Sequence, residues 1–327
     1  MRLFYIILLL ITTHIYGLEI VSNYPLPQNN IEEVYNSLDR KEDIVKFLKK
    51  TESFLDIKYK NQKLYLLRKP LIKKIIIKGN DSYWDREIKG IAGIYEGKYI
   101  SQDELSIIPL KLKQFYFDNG FLDAEISVKL TTDMKGNSYI NINIRENKKY
   151  KIKNIKFISD RKISPEIQNK YEKVLNLKNK SFKFSNVQSK IEKLLQRIKK
   201  EGYYDAFISI FNLHKLNDKE LSLYINIVHG FKYKIKFVGN YSVDKNILLK
   251  FSEFEENGVN YYQIQNFAKK IQQFYKSEGF LDASVDYSYK EFLENKKAVI
   301  TIYIYEGKKY RISKIKIDSD HKIPKSL

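Results

Sequence analysis

The sequence predicts an α+β protein built as a row of like modules, each running β-α-α-β-β. Two observations predict it: a short string that recurs along the chain, and a fixed order of hydrophobic periodicities between its copies. The string reads Asn119-Gly120-Phe121-Leu122-Asp123-Ala124, then Glu201-Gly202-Tyr203-Tyr204-Asp205-Ala206, then Glu278-Gly279-Phe280-Leu281-Asp282-Ala283. A weaker copy, Ser53-Phe54-Leu55-Asp56-Ile57, lies upstream. A repeat of about 80 residues is too long for one solenoid hairpin and the right size for a small domain.

Each full module opens on a β-rich run: Ile72, Ile75 and Ile77, then Ile152, Ile155 and Phe157, then Ile235 and Phe237. Gly79-Asn80 and Gly239-Asn240 follow two of these runs, and both residue types tolerate positive φ in a turn. Two helices come next. Val187, Ile191, Leu194, Leu195 and Ile198 form one apolar stripe at helical spacing, and Phe267, Ile271 and Phe274 repeat it. Ser101 and Glu104 have the spacing of a capping box, while Pro109 should bend that helix or shift its start. In the recurring string, glycine suits the left-handed position after a helix, the aromatic packs back on the sheet, and Asp can bond turn amides. Asp123, Asp205 and Asp282 occupy the same place in every module, which marks them as structural rather than catalytic.

Two alternating strands close the module. Ile126, Val128 and Leu130 face one way, with Ile140, Ile142 and Ile144 on the partner; Val285, Tyr287, Tyr289 and Ile300, Ile302, Ile304 repeat the pattern. One apolar face per strand implies a sheet covered by helices on one side. The joints between modules also repeat: Glu146-Asn147-Lys148-Lys149-Tyr150, His229-Gly230-Phe231-Lys232-Tyr233 and Glu306-Gly307-Lys308-Lys309-Tyr310. From Gly230 to Phe237 the middle joint is shorter than its counterparts, so tighter docking is expected there.

The first residues have the layout of a secretory signal peptide, with Arg2, an apolar run from Leu3 to Ile11, and cleavage after Gly17. That run is short for a membrane-spanning helix, which needs about 20 apolar residues. There is no cysteine, so neither disulfides nor thiolate chemistry is available. The net charge of +20 is spread along strands and turns rather than gathered into a block. It reads either as a solvated surface or as attraction to anionic headgroups and acidic clients; export argues against nucleic acid.

A β-α-α-β-β unit with a Gly-aromatic-x-Asp string and a Glu-Gly-x-x-Tyr-x-Ile joint resembles the POTRA domain (polypeptide-transport-associated). Ile44-Val45-x-Phe47-Leu48, Phe54-x-Asp56-Ile57 and Lys69-Pro70-x-Ile72 are similar to the first such domain and its passage into the second. The tandem array looks like that of the outer-membrane β-barrel assembly family, and the resemblance covers nearly all of the chain after Gly17. It implies three-stranded mixed sheets, each covered on one face by two helices. The implied divisions are a signal peptide at 1–17, a degenerate POTRA at 18–70, POTRA units at 71–148, 149–230 and 231–308, and the first strand of a truncated unit at 309–327. The family's transmembrane barrel has no counterpart in the residues up to Leu327.

No motif for a nucleophile, phosphate loop or metal stands out, and His14, His214, His229 and His321 lack ligand spacing. Binding without a cofactor is therefore expected rather than catalysis. In the family the second strand lies at the sheet edge, where unpaired backbone groups can pair with an extended client. The candidate edge is Ala206, Phe207, Ile208, Ser209, Ile210, Phe211 and Leu213. Ala206, Ile208 and Ile210 form one face, with Phe207, Phe211 and Leu213 expected on the other. That second face is either a client groove or a surface packed on a neighbouring module. The resemblance implies a periplasmic protein associated with the outer membrane. Its implied partners are unfolded outer-membrane protein precursors, assembly-complex accessory proteins and the outer-membrane surface. The alternative is the POTRA region of a secretion or translocation transporter.

Overall fold

The computed structural model describes residues 11–15, 18–26 and 28–314. Its first sheet contains β1 (Ile11–Ile15), β2 (Leu18–Ser22), β3 (Phe54–Lys60) and β4 (Lys63–Arg68), with α1 (Gln28–Ser37) and α2 (Ile44–Lys50) between β2 and β3. The strand order is β1-β2-β4-β3, one strand more than expected. The extra strand, β1, pairs antiparallel with β2 and falls inside the expected signal peptide, most of which lies outside the described residues. Without β1 the order would be β2-β4-β3, parallel between β2 and β4 and antiparallel between β4 and β3.

The next sheet has that same arrangement. It contains β5 (Leu71–Lys78), α3 (Asp85–Ala92), α4 (Gln102–Asp118), β6 (Glu125–Thr132) and β7 (Asn137–Arg145), in the order β5-β7-β6. The Ser101–Glu104 capping box forms in both directions, and α4 runs on through Pro109. Proline there removes one amide donor from the ladder without ending the helix. A third sheet is built from β8 (Lys151–Ser159), α5 (Pro165–Leu175), α6 (Phe184–Lys200), β9 (Phe207–Lys215) and β10 (Glu220–Val228), ordered β8-β10-β9. Val187, Ile191, Leu194 and Ile198 are the buried stripe of α6.

The last sheet is β11 (Lys232–Val238), β12 (Ser284–Phe292) and β13 (Lys297–Tyr305), ordered β11-β13-β12. Its helical layer differs from the two expected helices. The first is broken into α7 (Lys245–Leu249) and α8 (Phe254–Asn257), and α9 (Tyr261–Ser277) follows. Phe254 turns inward at the break and packs edge-on against Phe267, so burying it outweighs continuing the helix. Residues 306–314 carry no strand, and 315–327, the rest of the expected further unit, lie outside the described residues.

The cores are separate. Ile72, Ile88, Leu112, Tyr116, Ile140 and Ile142 belong to one, Ile264, Phe267, Ile271, Ile300 and Ile302 to another, and Ile20, Ile44, Leu64 and Leu66 to a third. Gly79 and Gly239 sit where the opening strand leaves its sheet, at φ +79 and +88; a Cβ would collide with the Ile144 or Ile304 carbonyl. By contact, the chain forms two compact units. One comprises the residues up to Tyr150 with Ser181–Phe184; the other comprises Lys151–Lys180 and the residues from Ser185 onward.

Candidate functional site: an edge strand and its anchoring joint

Strand β9 is an edge strand, bonded to β10 and to no other strand among the described residues. Its register explains what its side chains do. Ile208 faces Ile227 and Ile210 faces Ile225, both buried, so these side chains point to the core. Between Ile210 and Asn212 the ladder slips by one residue, leaving Phe211 as a bulge. Past the slip, Leu213 lies opposite the buried Leu223 and so shares the core face. That corrects the expected alternation, because an odd residue reverses the facing of everything after it.

Phe207 and Phe211 remain outward, 57% and 65% exposed. Phe207 stands opposite Val228, and Ile158 on β8 lies across β10 at Asn226, so the outer face carries an apolar band of Phe207, Val228 and Ile158. The equivalent strands are polar on that face: Glu125, Ser127 and Lys129 on β6, Ser284, Asp286 and Ser288 on β12. Strand β12 differs further. The Tyr287 amide is already bonded to the Asp286 carboxylate at 2.7 Å, a local guard on that strand. A groove of about 580 Å³ runs beside it, lined by Tyr262, Asn266, Lys269, Val285 and Tyr287. Nothing in the sequence pattern had marked that groove, because its two walls come from separate elements.

The aspartate of the recurring string precedes these strands, and in each module it accepts from a tyrosine of the following joint. The Tyr150 hydroxyl donates to Asp123 Oδ2 at 2.5 Å, the Tyr233 hydroxyl to Asp205, and the Tyr310 hydroxyl to Asp282 at 2.8 Å. The backbone repeats the bond, with Tyr150, Tyr233 and Tyr310 donating amides to the carbonyls of Gly120, Gly202 and Gly279. These glycines hold φ between +93 and +97, a conformation costly to other residues. Each latch joins a string to the following joint. The tyrosines recur 27, 28 and 28 residues after the aspartates, a co-spacing that could have revealed the pairs.

The latch at Asp205 has a second hold, because its Oδ1 accepts the Val259 amide at 2.7 Å. Burial first, and then the Asp205 carboxylate, push the Tyr233 hydroxyl far above its usual range, so it stays a donor. Lys296 Nζ reaches Asp160 at 3.0 Å, and Tyr204 packs on Tyr233 and Phe254. Thus the short middle joint is held by a carboxylate, an ion pair and an aromatic stack.

His229 ends β10's module where Glu146 and Glu306 end theirs. Glu146 accepts from the Ser82 hydroxyl, the Ser82 amide and Tyr116, and Glu306 accepts from Ser242. At His229 the acid has moved to the other side of the pair. Asp160 can only accept, so Nδ1 carries the proton toward it at 3.2 Å, and Nε2 lies 3.0 Å from the Tyr171 hydroxyl. His229 is 2% exposed, and that burial lowers its pKa despite Asp160. Burial opposes ionisation of Asp160 too, but the His229 amide and Lys296 hold its carboxyl well below the usual range.

Among the described residues, no group of three or more His, Cys, Asp or Glu side chains is placed to hold a metal ion, and no helix is long and apolar enough to cross a membrane. The outer-membrane protein assembly factor BamA of Buchnera aphidicola subsp. Acyrthosiphon pisum (strain APS) is 25% identical over 296 residues, 83% of this chain and 47% of that protein. The chain therefore spans about half the length of the curated relative it matches. The crystal structure of Haemophilus influenzae BamA POTRA3-5 is 14% identical with a TM-score of 0.37, over 72% of this chain and 96% of that one. For POTRA1-3 of Anabaena Omp85 the values are 11%, 0.35, 72% and 95%. The POTRA family profile, described as "Surface antigen variable number repeat", matches residues 70–147 and 233–307. By that match those two segments are POTRA domains, and the sheet between them has the same strand order.

Proposed function

We propose that this chain is the periplasmic POTRA array of an outer-membrane protein assembly factor, and that it receives unfolded barrel precursors by strand addition at β9. The observation that carries the reading is an open edge strand with two outward phenylalanines, where the counterpart strands β6 and β12 are polar. An extended client would pair its backbone with Phe207–Ile210, the regular stretch before the bulge, and pack alternate side chains on Phe207 and Phe211. Main-chain pairing is indifferent to client sequence, which suits a receiver of many precursors. The relative's printed name, an outer-membrane protein assembly factor, supports the assembly role. Export through a leader at residues 1–17 fits the same reading, since its removal would leave the first sheet with the strand order of the other three. Accessory assembly proteins and the outer-membrane surface are the further partners in this reading, and binding replaces catalysis as the activity.

The test uses a ten-residue peptide of alternating apolar and polar residues and its twin N-methylated on alternate amides. The plain peptide should crosslink to β9, and both N-methylation and the double variant Phe207→Ser, Phe211→Ser should weaken binding about tenfold, or ~1.4 kcal/mol. Equal binding of both peptides, or an unaffected double variant that is still folded, would remove β9 as the client site.

A further inference from the structure

Arg68, the last residue of β4, is 7% exposed. Its Nη1 donates to the Pro25 carbonyl at 2.5 Å, and its guanidinium lies 5.4 Å from the centre of the Tyr99 ring. Nε is buried with no hydrogen-bond partner, and among the described residues no carboxylate forms an ion pair with Arg68. A buried cation is expected to be paired, because removing a charge from water is costly unless an opposite charge and hydrogen bonds replace the hydration. One carbonyl and one ring face are its partners, and Nε is the donor that burial leaves unbonded.

Arg68 is also part of the wall of a cavity of about 260 Å³, and most of the rest of that wall is apolar: Ile31, Val34, Phe47, Phe54 and Tyr99 among it. A cavity just below the ~300 Å³ at which drug-sized sites begin holds a fragment-sized body. Phe47 is 42% exposed, which places the mouth of the cavity at the surface. Apolar walls and a single under-bonded guanidinium select for one ligand chemistry. The body must be compact and apolar, and the head must be a planar monoanion that accepts from the guanidinium.

We infer that the cavity beside Arg68 is a binding site for a carboxylate carried on a small apolar group. The same chemistry is found at the free carboxyl end of a polypeptide finishing in a large apolar residue and in a short fatty acid. This site is independent of strand β9.

Calorimetric titration of the full chain tests the assignment. 4-Phenylbutyrate should bind, and its neutral amide, of the same shape, should bind at least tenfold more weakly. Arg68→Met should abolish binding. Val34→Phe, which fills the cavity and keeps the cation, should do the same with an unchanged circular dichroism spectrum, and this variant decides the matter where Arg68→Met fails to fold. A tripeptide ending in free phenylalanine and octanoate separate the two sources: the tighter ligand names the natural class. Equal affinity for acid and amide, or undiminished binding by folded Val34→Phe, would overturn the proposal.

Discussion

Asp205 and Tyr233 illustrate how much depends on the surroundings of one hydrogen bond. The same pair recurs at Asp282 and Tyr310, but Tyr233 is buried and Tyr310 is half exposed. Removing a hydroxyl from a sequestered, charge-assisted bond costs about 1–3 kcal/mol, while water replaces an exposed one. Tyr233→Phe should therefore lower the denaturation midpoint by an amount equivalent to about 1 kcal/mol, toward the low end because Asp205 itself is exposed. Tyr310→Phe should leave the midpoint unchanged. His229 gives a pH dependence of definite sign. Its pKa is lowered in the folded chain from an ordinary value of 6.5, so below about pH 6.5 the unfolded chain binds a proton that the folded chain refuses. Stability should fall as pH drops from 7.5 to 5.5, and His229→Gln should flatten that slope. Asp160, held low, contributes stability that is present above its ordinary 3.8 and lost as pH falls below it, so its effect is separable from that of the histidine.

Strands and helices were legible where one period ran unbroken. The α6 stripe at Val187, Ile191, Leu194 and Ile198 could be read because helical spacing leaves no rival interpretation. Strand β9 was only half legible. Alternation from Ala206 to Leu213 assumes that no residue is skipped, and nothing in the string Ile210-Phe211-Asn212 announces a slip that depends on β10. The latches showed in the sequence only as a co-spacing, since each joins residues brought together by the fold rather than by neighbouring positions. The bulge gives an element-scale expectation. Deleting Phe211 restores an uninterrupted ladder, with Ile210 opposite Ile225 and Leu213 still opposite Leu223, so the core survives. The deletion variant should melt within a few degrees of the parent. Its straightened edge should self-associate at lower concentration, as read by sedimentation velocity, because bulges blunt edge pairing.

At the scale of the molecule, repetition of one sheet order made the modular reading possible from sequence, and differences in how the cores close were not. The core containing Ile72, Ile88, Leu112 and Ile140 closes within residues 72–144. The core around Phe267 and Ile300 takes in Tyr204 and Phe231 from outside its own sheet. Residues 70–148 alone should therefore melt cooperatively. Residues 231–309 alone should melt lower than the same segment within 151–309, because Tyr204 and the Asp205 latch are lost; calorimetry of the three fragments checks both expectations.

Asp205 lies two positions before Phe207, where β9 begins, and its carboxylate holds Tyr233 and Val259 at once. Traction applied along β9 by a passenger would thus meet no slack tether. It would load two fixed points of the following sheet and loop, so that strain at one border becomes tension in the next module.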